Sequence, residues 1–165
     1  MYIGRFAPTP SGPLHFGSVV AALASYLDAK HNKGLWKIRI DDIDLPRILD
    51  GAEISILKNL ENLGLFWDGE ISRQSENIKE YSHNFEILNE KNLTYNCQCT
   101  RKEIAILNSS NINEPSYNNK CRNKQHSSSN NSAVRLISNY ESTKFIDRAQ
   151  GLQLDKPKNI TGDFI

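Results

Sequence analysis

The sequence predicts an α/β fold that opens with a parallel crossover and continues into a small cysteine-bearing insert and a β-rich segment. A short strand at 2–7 is followed by a helix at 17–30, and residues 36–41 then alternate between apolar and polar side chains, which is the period-two pattern of a strand. A strand, a helix and a strand in this order favour a right-handed parallel crossover, whose ligand crevice lies at the carboxyl ends of the strands. From 108 to 132 the composition changes to Asn and Ser, which is typical of a loop-rich insert.

Length, charge and cysteine content narrow the class of protein. The 165 residues suffice for one domain with a small insert. Lys and Arg number 20 against 19 for Asp and Glu, so no global basic field points to nucleic acid, and any RNA contact has to be local. The longest apolar run, Val19 to Leu27, is too short to span a bilayer and no signal-peptide pattern precedes it, so we expect a cytoplasmic protein without a membrane partner. Three cysteines, two of them spaced C-x-C, favour a metal site over a disulfide framework.

The loop between the first strand and the first helix, RFAPTPSGPLHFGS at 5–18, predicts a phosphate-binding turn. A helix N-terminus presents unpaired N–H groups and a partial positive charge. Gly12 and Gly17 allow the backbone to turn tightly and to approach a ligand, while the prolines of the loop stiffen it. We expect Gly34 to end the helix. The next strand should pack its apolar side chains on that helix, which leaves Arg39 and Asp41 together on the other face.

Two further helices are predicted by apolar residues at helical spacing. The second runs from Ala52 to Leu63, with Asp50 as its cap and Gly64 as its end. The third continues to about Lys91, and we expect its apolar stripe to pack in the core. The stripes are Ile54, Leu57 and Leu60 in the second helix, and Ile78, Tyr81, Phe85 and Leu88 in the third.

Shorter elements surround the cysteines. Thr100 and Glu103 form a capping box, so a short helix should run from Arg101 to Leu107. The insert that follows has its most flexible part at 127–132. The strands that we expect in this half are 92–96, which leads into Cys97-Gln98-Cys99, and an antiparallel pair of 133–137 with 144–148.

Four ordered motifs resemble those of the class I glutamyl-tRNA synthetases. In the loop at 5–18, His15-Phe16-Gly17-Ser18 stands where the family carries its HIGH tetrad. The segment Arg39-Ile40-Asp41-Asp42-Ile43-Asp44, followed by Pro46-Arg47, looks like the family's R-I-E-D-T/I-D segment. The other two matches are Gly64-Leu65-Phe66-Trp67-Asp68-Gly69 and Gln74-Ser75 with Tyr81 after it. The chain is therefore identified as a member of this family, which implies the first half of a Rossmann-like class I synthetase catalytic domain.

The resemblance implies an ATP subsite and a glutamate subsite. ATP, with Mg²⁺, would lie against the HIGH-type region, where His15, Gly17 and Ser18 take the catalytic role of stabilising charge on the phosphates. Arg5 offers a planar guanidinium that matches the side-chain carboxylate of L-glutamate. Asp41 stands at the position of a family glutamate that holds the substrate ammonium; it is one methylene shorter, and a simple ion pair with Arg39 is the alternative. The implied glutamate subsite is Arg5, Phe6, Ala7, Pro8, Thr9 and Asp41, and the implied ATP subsite is Pro8, Gly12, His15, Phe16, Gly17 and Ser18.

The cysteines resemble the zinc site of a short branch of the family, the glutamyl-queuosine tRNA(Asp) synthetases. In that branch three thiolates and a tyrosine oxygen form a tetrahedron, which implies that Cys97, Cys99, Tyr117 and Cys121 hold a structural Zn²⁺. Three cysteines alone leave the fourth position open, and His126 is a competitor that general zinc chemistry allows. Basic residues flank these ligands, and we expect them to form a solvated rim rather than a phosphate-binding surface.

Membership of this branch implies that a monomer activates glutamate as glutamyl-adenylate and transfers it to queuosine in the anticodon loop of tRNA(Asp). No segment resembles the family's lysine-rich KMSKS-type loop, so we expect the first part of the catalytic region and an incomplete activity. The alternatives are the N-terminal part of an ordinary glutamyl-tRNA synthetase and a non-catalytic zinc-dependent RNA-binding module. The implied domains are the first half of the catalytic domain at 1–96, the zinc-binding insert at 97–132 and the start of a β-rich connecting segment at 133–165.

Overall fold

The structure, a computed structural model, describes residues 1–107, 117–124, 126–127, 132–138, 142–155 and 162–165. The chain divides into two compact units, Met1–Ser82 and His83–Ile165. This division reflects which residues pack together. The expected boundaries at 96/97 and 132/133 were instead based on the role of each segment, and they stay predictions. In the described part of the chain, no helix has the length and the apolar character that crossing a membrane would require.

The first unit is built on a parallel sheet. Strand β1 (Ile3–Phe6), helix α1 (Phe16–His31) and strand β2 (Leu35–Ile40) are followed by helix α2 (Ala52–Asn62) and a two-residue strand β3 (Ser72–Arg73). The sheet order is β1-β2-β3, and both pairings are parallel. Strand β1 aligns with β2 from Ile3 opposite Leu35 to Phe6 opposite Ile38. The predicted parallel crossover and the α/β class are therefore confirmed.

The core of this unit lies where α1 packs against β1 and β2. The alternation in β2 is confirmed, because Trp36, Ile38 and Ile40 are buried. Helix and strand approach each other closely at Gly4, where an added Cβ would lie 3.0 Å from Ala29 Cβ. Trp36 Nε1 donates to Ser25 Oγ at 2.9 Å, so the indole is satisfied inside the core. The buried residues of this core are Phe6, Ala22, Ala29, Trp36, Ile38, Ile40, Ile56, Leu60 and Leu65.

The end of α1 differs from the prediction. The left-handed residue is Lys33, with φ of 51°, and not Gly34. Gly34 has another reason to be glycine, since a Cβ there would lie 2.3 Å from the carbonyl oxygen of Tyr2. The turn therefore depends on Gly34 for the close approach of two chain segments.

Helix α2 differs in its cap and its buried face. Gly51, with φ of 76°, is the residue before the helix, and no side chain caps it, so the predicted role of Asp50 is wrong. The predicted stripe is confirmed at Leu57 and Leu60, which pack in the core, but it is wrong at Ile54, which is 73% exposed; Ile56, 1% exposed, packs with Leu60 instead. Residues 56 and 60 are four apart and share the face toward the sheet. The end at Gly64 is confirmed by its φ of 73° and by the bond from Leu65 N–H to the Leu60 carbonyl at 2.9 Å.

Helix α3 (Ile78–Glu90) spans the division between the units. Its extent agrees with the prediction, but its apolar stripe is not core. Ile78, Tyr81 and Phe85 are 48%, 39% and 40% exposed among the described residues, and α3 buries none of its side chains there.

The second unit contains strand β4 (Thr94–Cys97), helix α4 (Arg101–Leu107) and strands β5 (Ala133–Leu136), β6 (Thr143–Asp147) and β7 (Gly151–Asp155). The expected pair of 133–137 with 144–148 is wrong. Strand β5 pairs antiparallel with β4, from Thr94 opposite Leu136 to Cys97 opposite Ala133. Strand β6 pairs with β7, which the sequence analysis did not identify as a strand.

A tight turn explains the β6–β7 pairing. Asp147 Oδ1 accepts from the N–H groups of Ala149 and Gln150 at 2.8 and 2.7 Å, and Gly151 has φ of 79°. This Asx-type turn and the left-handed glycine close a local hairpin, so β6 finds its partner within a few residues.

The capping box of α4 is confirmed. Thr100 N–H donates to Glu103 Oε2 at 2.7 Å, and Glu103 N–H donates back to Thr100 Oγ1 at 3.2 Å. The loop-rich insert expected at 108–132, with its most flexible part at 127–132, lies largely outside the described residues.

Candidate functional site

A cleft of about 420 Å³ lies in the loop between β1 and α1. The loop lines the cleft because β1 ends at Phe6 and α1 begins only at Phe16. The three prolines and Gly12 keep the intervening backbone from forming a helix or a strand. Of the residues expected to bind ATP, Phe16 does not line the cleft, and its side chain is 83% exposed. The expected site residues that line it are Phe6, Ala7, Pro8, Thr9, Gly12, His15, Gly17 and Ser18.

His15 is the N-cap of α1. Its Nδ1 accepts from Ser18 N–H at 3.1 Å, and its Nε2 lies 3.0 Å from Ser18 Oγ. A neutral ring that accepts at Nδ1 carries its proton at Nε2, so Nε2 is the donor to the hydroxyl. A Cβ on Gly17 would lie 3.1 Å from His15 Cε1, which makes glycine the residue that leaves room for this ring position. Sequence reasoning missed the capping role, because histidine is not among the usual N-cap residues.

Arg5 and Asp41 belong to the polar face of the sheet. Phe6 and Ile40 point into the core, so Arg5, the residue before Phe6, and Asp41, the residue just after β2, take the opposite face. Arg5 is exposed, and within the described residues its side chain has no recorded ion pair. The backbone N–H of Asp41 donates to the Pro8 carbonyl at 3.0 Å, which joins the end of β2 to the cleft loop.

Asp41 forms an ion pair with Arg39. Arg39 Nε and Nη2 donate to its two carboxylate oxygens at 2.7 and 3.1 Å, and the bond to Asp41 is the main reason that the pKa of Arg39 is raised. This is the alternative considered from the sequence. It leaves the ammonium-binding role open, because each carboxylate oxygen can accept another bond and the Asp41 side chain is 25% exposed.

Asp42 joins two of the four sequence motifs to each other, and Asp68 joins a third motif to α1 and β2. Asp42 accepts from Ser75 N–H at 2.9 Å and from Ser75 Oγ at 2.5 Å; burial opposes ionisation, but these bonds lower the pKa of Asp42. Asp68 accepts from Lys30 Nζ and from the backbone N–H of Trp36, both at 2.8 Å, and its pKa is lowered by these bonds. The sequence showed the motifs but not these contacts, which join residues more than thirty positions apart.

The three cysteines meet in the second unit. Their Sγ atoms all lie within 4.8 Å of one another, and the thiols are free. Cys97 and Cys121 are buried, and the Sγ atoms of Cys99 and Cys121 are 3.5 Å apart. The cluster forms because β4 ends at Cys97, α4 begins soon after it at Arg101, and the segment 117–124 returns beside them.

Tyr117 completes this cluster. Its hydroxyl lies 3.3 Å from Cys97 Sγ and 3.9 Å from Cys99 Sγ, and it accepts from the backbone N–H of Cys121 at 2.9 Å. His126 is not a member of the group of converging ligand atoms; its recorded contacts are made by its backbone, whose carbonyl accepts from Asn96 Nδ2 at 3.0 Å. Of the two candidates for the fourth position, Tyr117 is the one that the fold brings to the thiols.

The electrostatics of the cluster favour a cation. Burial opposes ionisation of Cys97, but hydrogen bonds with Tyr117 and Arg135 lower the pKa of this thiol to about 7. Burial and the hydrogen bond with Cys121 raise the pKa of Cys99 to about 11, and the neighbouring Cys97 adds to this rise. Four donors dominated by thiolate sulfur are the set that tetrahedral Zn²⁺ prefers, and Zn–S bonds of about 2.3 Å place sulfurs about 3.8 Å apart. The donor set therefore fits zinc.

A buried polar network, missed by the sequence analysis, supports this cluster. Asp163 is fully buried and forms an ion pair with Arg122, the neighbour of Cys121. Tyr95 Oη donates to Asp163 Oδ2 at 2.8 Å, and Ser138 donates to Oδ1 from its N–H and its hydroxyl at 2.8 and 3.0 Å. Arg135 donates to the Asp163 carbonyl oxygen at 2.7 Å. The sequence patterns described above did not indicate this polar centre.

The chain is similar to known class I tRNA synthetases. Residues 3–160 match the family described as tRNA synthetases class I (E and Q), catalytic domain. A glutamyl-Q tRNA(Asp) synthetase of Idiomarina loihiensis is 44% identical over 165 residues, which cover 100% of this chain and 56% of the relative. The protein of the same name from Escherichia coli K12 is 43% identical over 164 residues, covering 99% of this chain and 51% of the relative. The chain thus spans about half the length of the curated relatives it matches.

Solved structures agree with this family. A glutamate tRNA ligase from Elizabethkingia meningosepticum, crystallised in complex with its amino acid, superposes with a TM-score of 0.75 at 27% identity. The match covers 97% of this chain and 37% of that chain.

Proposed function

The chain belongs to the family of class I tRNA synthetases for glutamate and glutamine, and on this premise we propose that it serves the ATP-dependent activation of glutamate as glutamyl-adenylate. The relatives that are 43–44% identical carry the name glutamyl-Q tRNA(Asp) synthetase, so we extend the proposal to transfer of glutamate to queuosine in the anticodon loop of tRNA(Asp). The whole reaction, its substrates and its partners remain part of the proposal. The expectation of a cytoplasmic monomer is also part of the proposal.

The observation that carries the proposal is the arrangement of His15, Gly17 and Ser18 at the start of α1. The imidazole is held against the first turn by its two contacts with Ser18, at a helix N-terminus, which favours anions. ATP phosphates, with Mg²⁺, would lie in the cleft here. The reaction requires no covalent nucleophile on the protein, because the substrate carboxylate itself attacks the α-phosphorus of ATP and pyrophosphate leaves as the bond between the α- and β-phosphates breaks. The protein contributes position and charge stabilisation.

Glutamate would lie beside the phosphates. Arg5 would bind the side-chain carboxylate, the segment Phe6 to Thr9 would line the subsite, and Asp41, oriented by Arg39, would accept from the ammonium. The proximity of the two subsites is supported by the bond from Asp41 N–H to the Pro8 carbonyl, which brings the end of β2 next to the cleft.

The metal centre has a structural role in this proposal. Cys97, Cys99, Tyr117 and Cys121 would hold Zn²⁺, which, when bound, cross-links the end of β4, the start of α4 and the segment 117–124. The support is the convergence of the three thiols and the tyrosine hydroxyl.

Glutamate-dependent ATP–pyrophosphate exchange tests the activation step. It is measured on this chain and on this chain joined to the C-terminal part of the Escherichia coli relative. Exchange that requires glutamate and is lost in His15→Ala supports the proposal. If neither the chain nor its extended version catalyses exchange, the proposal is contradicted. Transfer of labelled glutamate to tRNA(Asp) with and without queuosine, and to tRNA(Glu), then separates the proposed acceptor from the 3′ end that an ordinary glutamyl-tRNA synthetase uses.

The role of Arg5 has its own test. Arg5→Ala should weaken glutamate binding at least tenfold, because a carboxylate loses its charge-assisted bonds. Lys58→Ala is the control, since Lys58 is an exposed cation on α2 outside the cleft lining. Isothermal titration calorimetry that finds the two variants equal would remove Arg5 from the site.

A further inference from the structure

Arg135 is a buried cation beside the cysteine cluster. It lies on β5 and is 4% exposed, and its guanidinium carbon sits 3.6 Å from the centre of the Tyr117 ring. One nitrogen, Nη1, donates to the Asp163 carbonyl oxygen, while Nε is buried and has no hydrogen-bond partner in the described part of the chain. A buried charge is stable only if an opposite charge or a full set of hydrogen bonds compensates it.

The neighbouring carboxylate does not supply this compensation. The side chain of Asp163 is occupied by Arg122, Tyr95 and Ser138, and it offers Arg135 its backbone carbonyl instead. Asp163 and Arg122 therefore neutralise each other, and the charge of Arg135 is left facing Tyr117 and the thiols.

With zinc bound, the cysteine cluster would supply the missing negative charge. Zn²⁺ bound by three thiolates and a neutral tyrosine oxygen carries one net negative charge. The cation that faces this complex through the Tyr117 ring is Arg135, and a guanidinium over an aromatic face is itself attracted to it.

We propose that Arg135 is the buried counter-cation of the metal centre and that Asp163 positions it there. This inference rests on the proposed zinc site. It assigns Arg135 to the shell around the ligands, where it balances the charge of the loaded cluster and orients the Tyr117 ring. Outer partners of this kind orient metal ligands and tune their affinity.

Asp163 connects Arg135 to the segment that bears the metal ligands. Besides its side-chain bonds, its own N–H donates to Asn119 Oδ1 at 3.1 Å, and the preceding Gly162 lies against the Tyr117 backbone. Residue 163 is thus connected to the segment that bears Tyr117 and Cys121 on one side and to Arg135 on the other.

The test compares zinc binding by the 165-residue chain and its variants. Zinc dissociation constants are obtained by competition with a chromophoric chelator, and the rise in melting temperature on adding zinc is measured on the same samples. We expect Arg135→Met to weaken zinc binding about 10- to 100-fold and to reduce the zinc-induced rise. Arg135→Lys, which keeps the charge, should recover most of the affinity. Arg73→Met is the control, since it removes an arginine paired with Glu53 and Glu76 in the other unit and should leave zinc binding unchanged.

The outcomes are distinguishable. If the wild-type chain binds no zinc, or if Cys97→Ser binds it equally well, the proposed zinc site is contradicted. The proposed role of Arg135 is then contradicted as well. If wild type binds zinc but Arg135→Met binds it as tightly, the counter-cation role alone is overturned. A structural role would lower the melting temperatures of the metal-free and zinc-loaded forms equally and leave the zinc-induced rise intact, which also overturns it. If Arg135→Met does not fold, Arg135→Lys decides, because a lysine variant that loses zinc more than tenfold contradicts a role based on charge.

Discussion

Replacement of Gly162 by alanine tests how closely the chain packs around the metal centre. Gly162 has φ of 62°, and a Cβ added to it would lie 2.1 Å from the Tyr117 carbonyl oxygen and 3.0 Å from the carbonyl carbon. The left-handed conformation costs a non-glycine residue about 1–2 kcal/mol. The backbones must also separate by more than about 1 Å to restore ordinary contact, and overpacking of this kind costs about 1–3 kcal/mol. We therefore expect Gly162→Ala to lower the free energy of unfolding by about 2–5 kcal/mol.

Gly151→Ala is the matched control for this variant. Gly151 also has positive φ, 79°, but an added Cβ would meet nothing within 4 Å. It should therefore show the conformational cost alone, about 1–2 kcal/mol. Because a unit of this size loses about 4–8 °C in melting temperature per kcal/mol, thermal unfolding resolves the two variants.

Zinc binding provides the second measurement. Gly162→Ala should weaken it, since the displaced segment carries the Tyr117 hydroxyl, while Gly151→Ala should not. Equal melting temperatures for the two variants, together with wild-type zinc affinity in Gly162→Ala, would refute the close approach of Gly162 to Tyr117.

Three further predictions concern the two units separately. Ile56→Ala should lower the free energy of unfolding by about 2–5 kcal/mol and Ile54→Ala by less than about 0.5 kcal/mol in urea titrations, because only Ile56 is buried; equal effects would contradict the orientation of α2. Gly17→Ala should push the His15 ring by a few tenths of an ångström and weaken ATP binding, measured by calorimetry, with unchanged affinity as the contradicting result. Although burial opposes its ionisation, bonds from Arg122 and Ser138 lower the folded-state pKa of Asp163 below 3.8, so its stabilising effect is complete above that value and is lost as pH falls through the folded pKa. Urea titrations of the metal-free chain from about pH 6 to pH 2 should therefore show a steeper acid loss in wild type than in Asp163→Asn.

Local patterns predicted the elements whose partners are close in sequence. The strand–helix–strand opening, the alternation of Trp36, Ile38 and Ile40 in β2, and the capping box of Thr100 and Glu103 are all found in the structure. Each depends on a period or on a bond spanning three residues, so the sequence contains the whole signal.

Patterns that depend on neighbours in space were predicted less well. Helical spacing on α2 allowed more than one apolar stripe, and packing against the sheet selected Ile56 instead of Ile54. The pairing of β5 with β4 joins residues about forty positions apart, which no local pattern could indicate. The turn at Asp147 and Gly151 was a local signal that the sequence analysis did not use.

For the site, the sequence by itself determined the residue types: the loop from Arg5 to Ser18, the polar pair Arg39 and Asp41, and three cysteines with a spacing typical of metal ligands. The tertiary structure decided which atoms meet. It placed the Tyr117 hydroxyl among the thiols, made His15 the cap of α1, and surrounded the cluster with Asp163 and Arg135. The physical reason is that burying thiols and charged groups requires partners with the right charge at hydrogen-bond distance, and the fold brings those partners from distant parts of the chain.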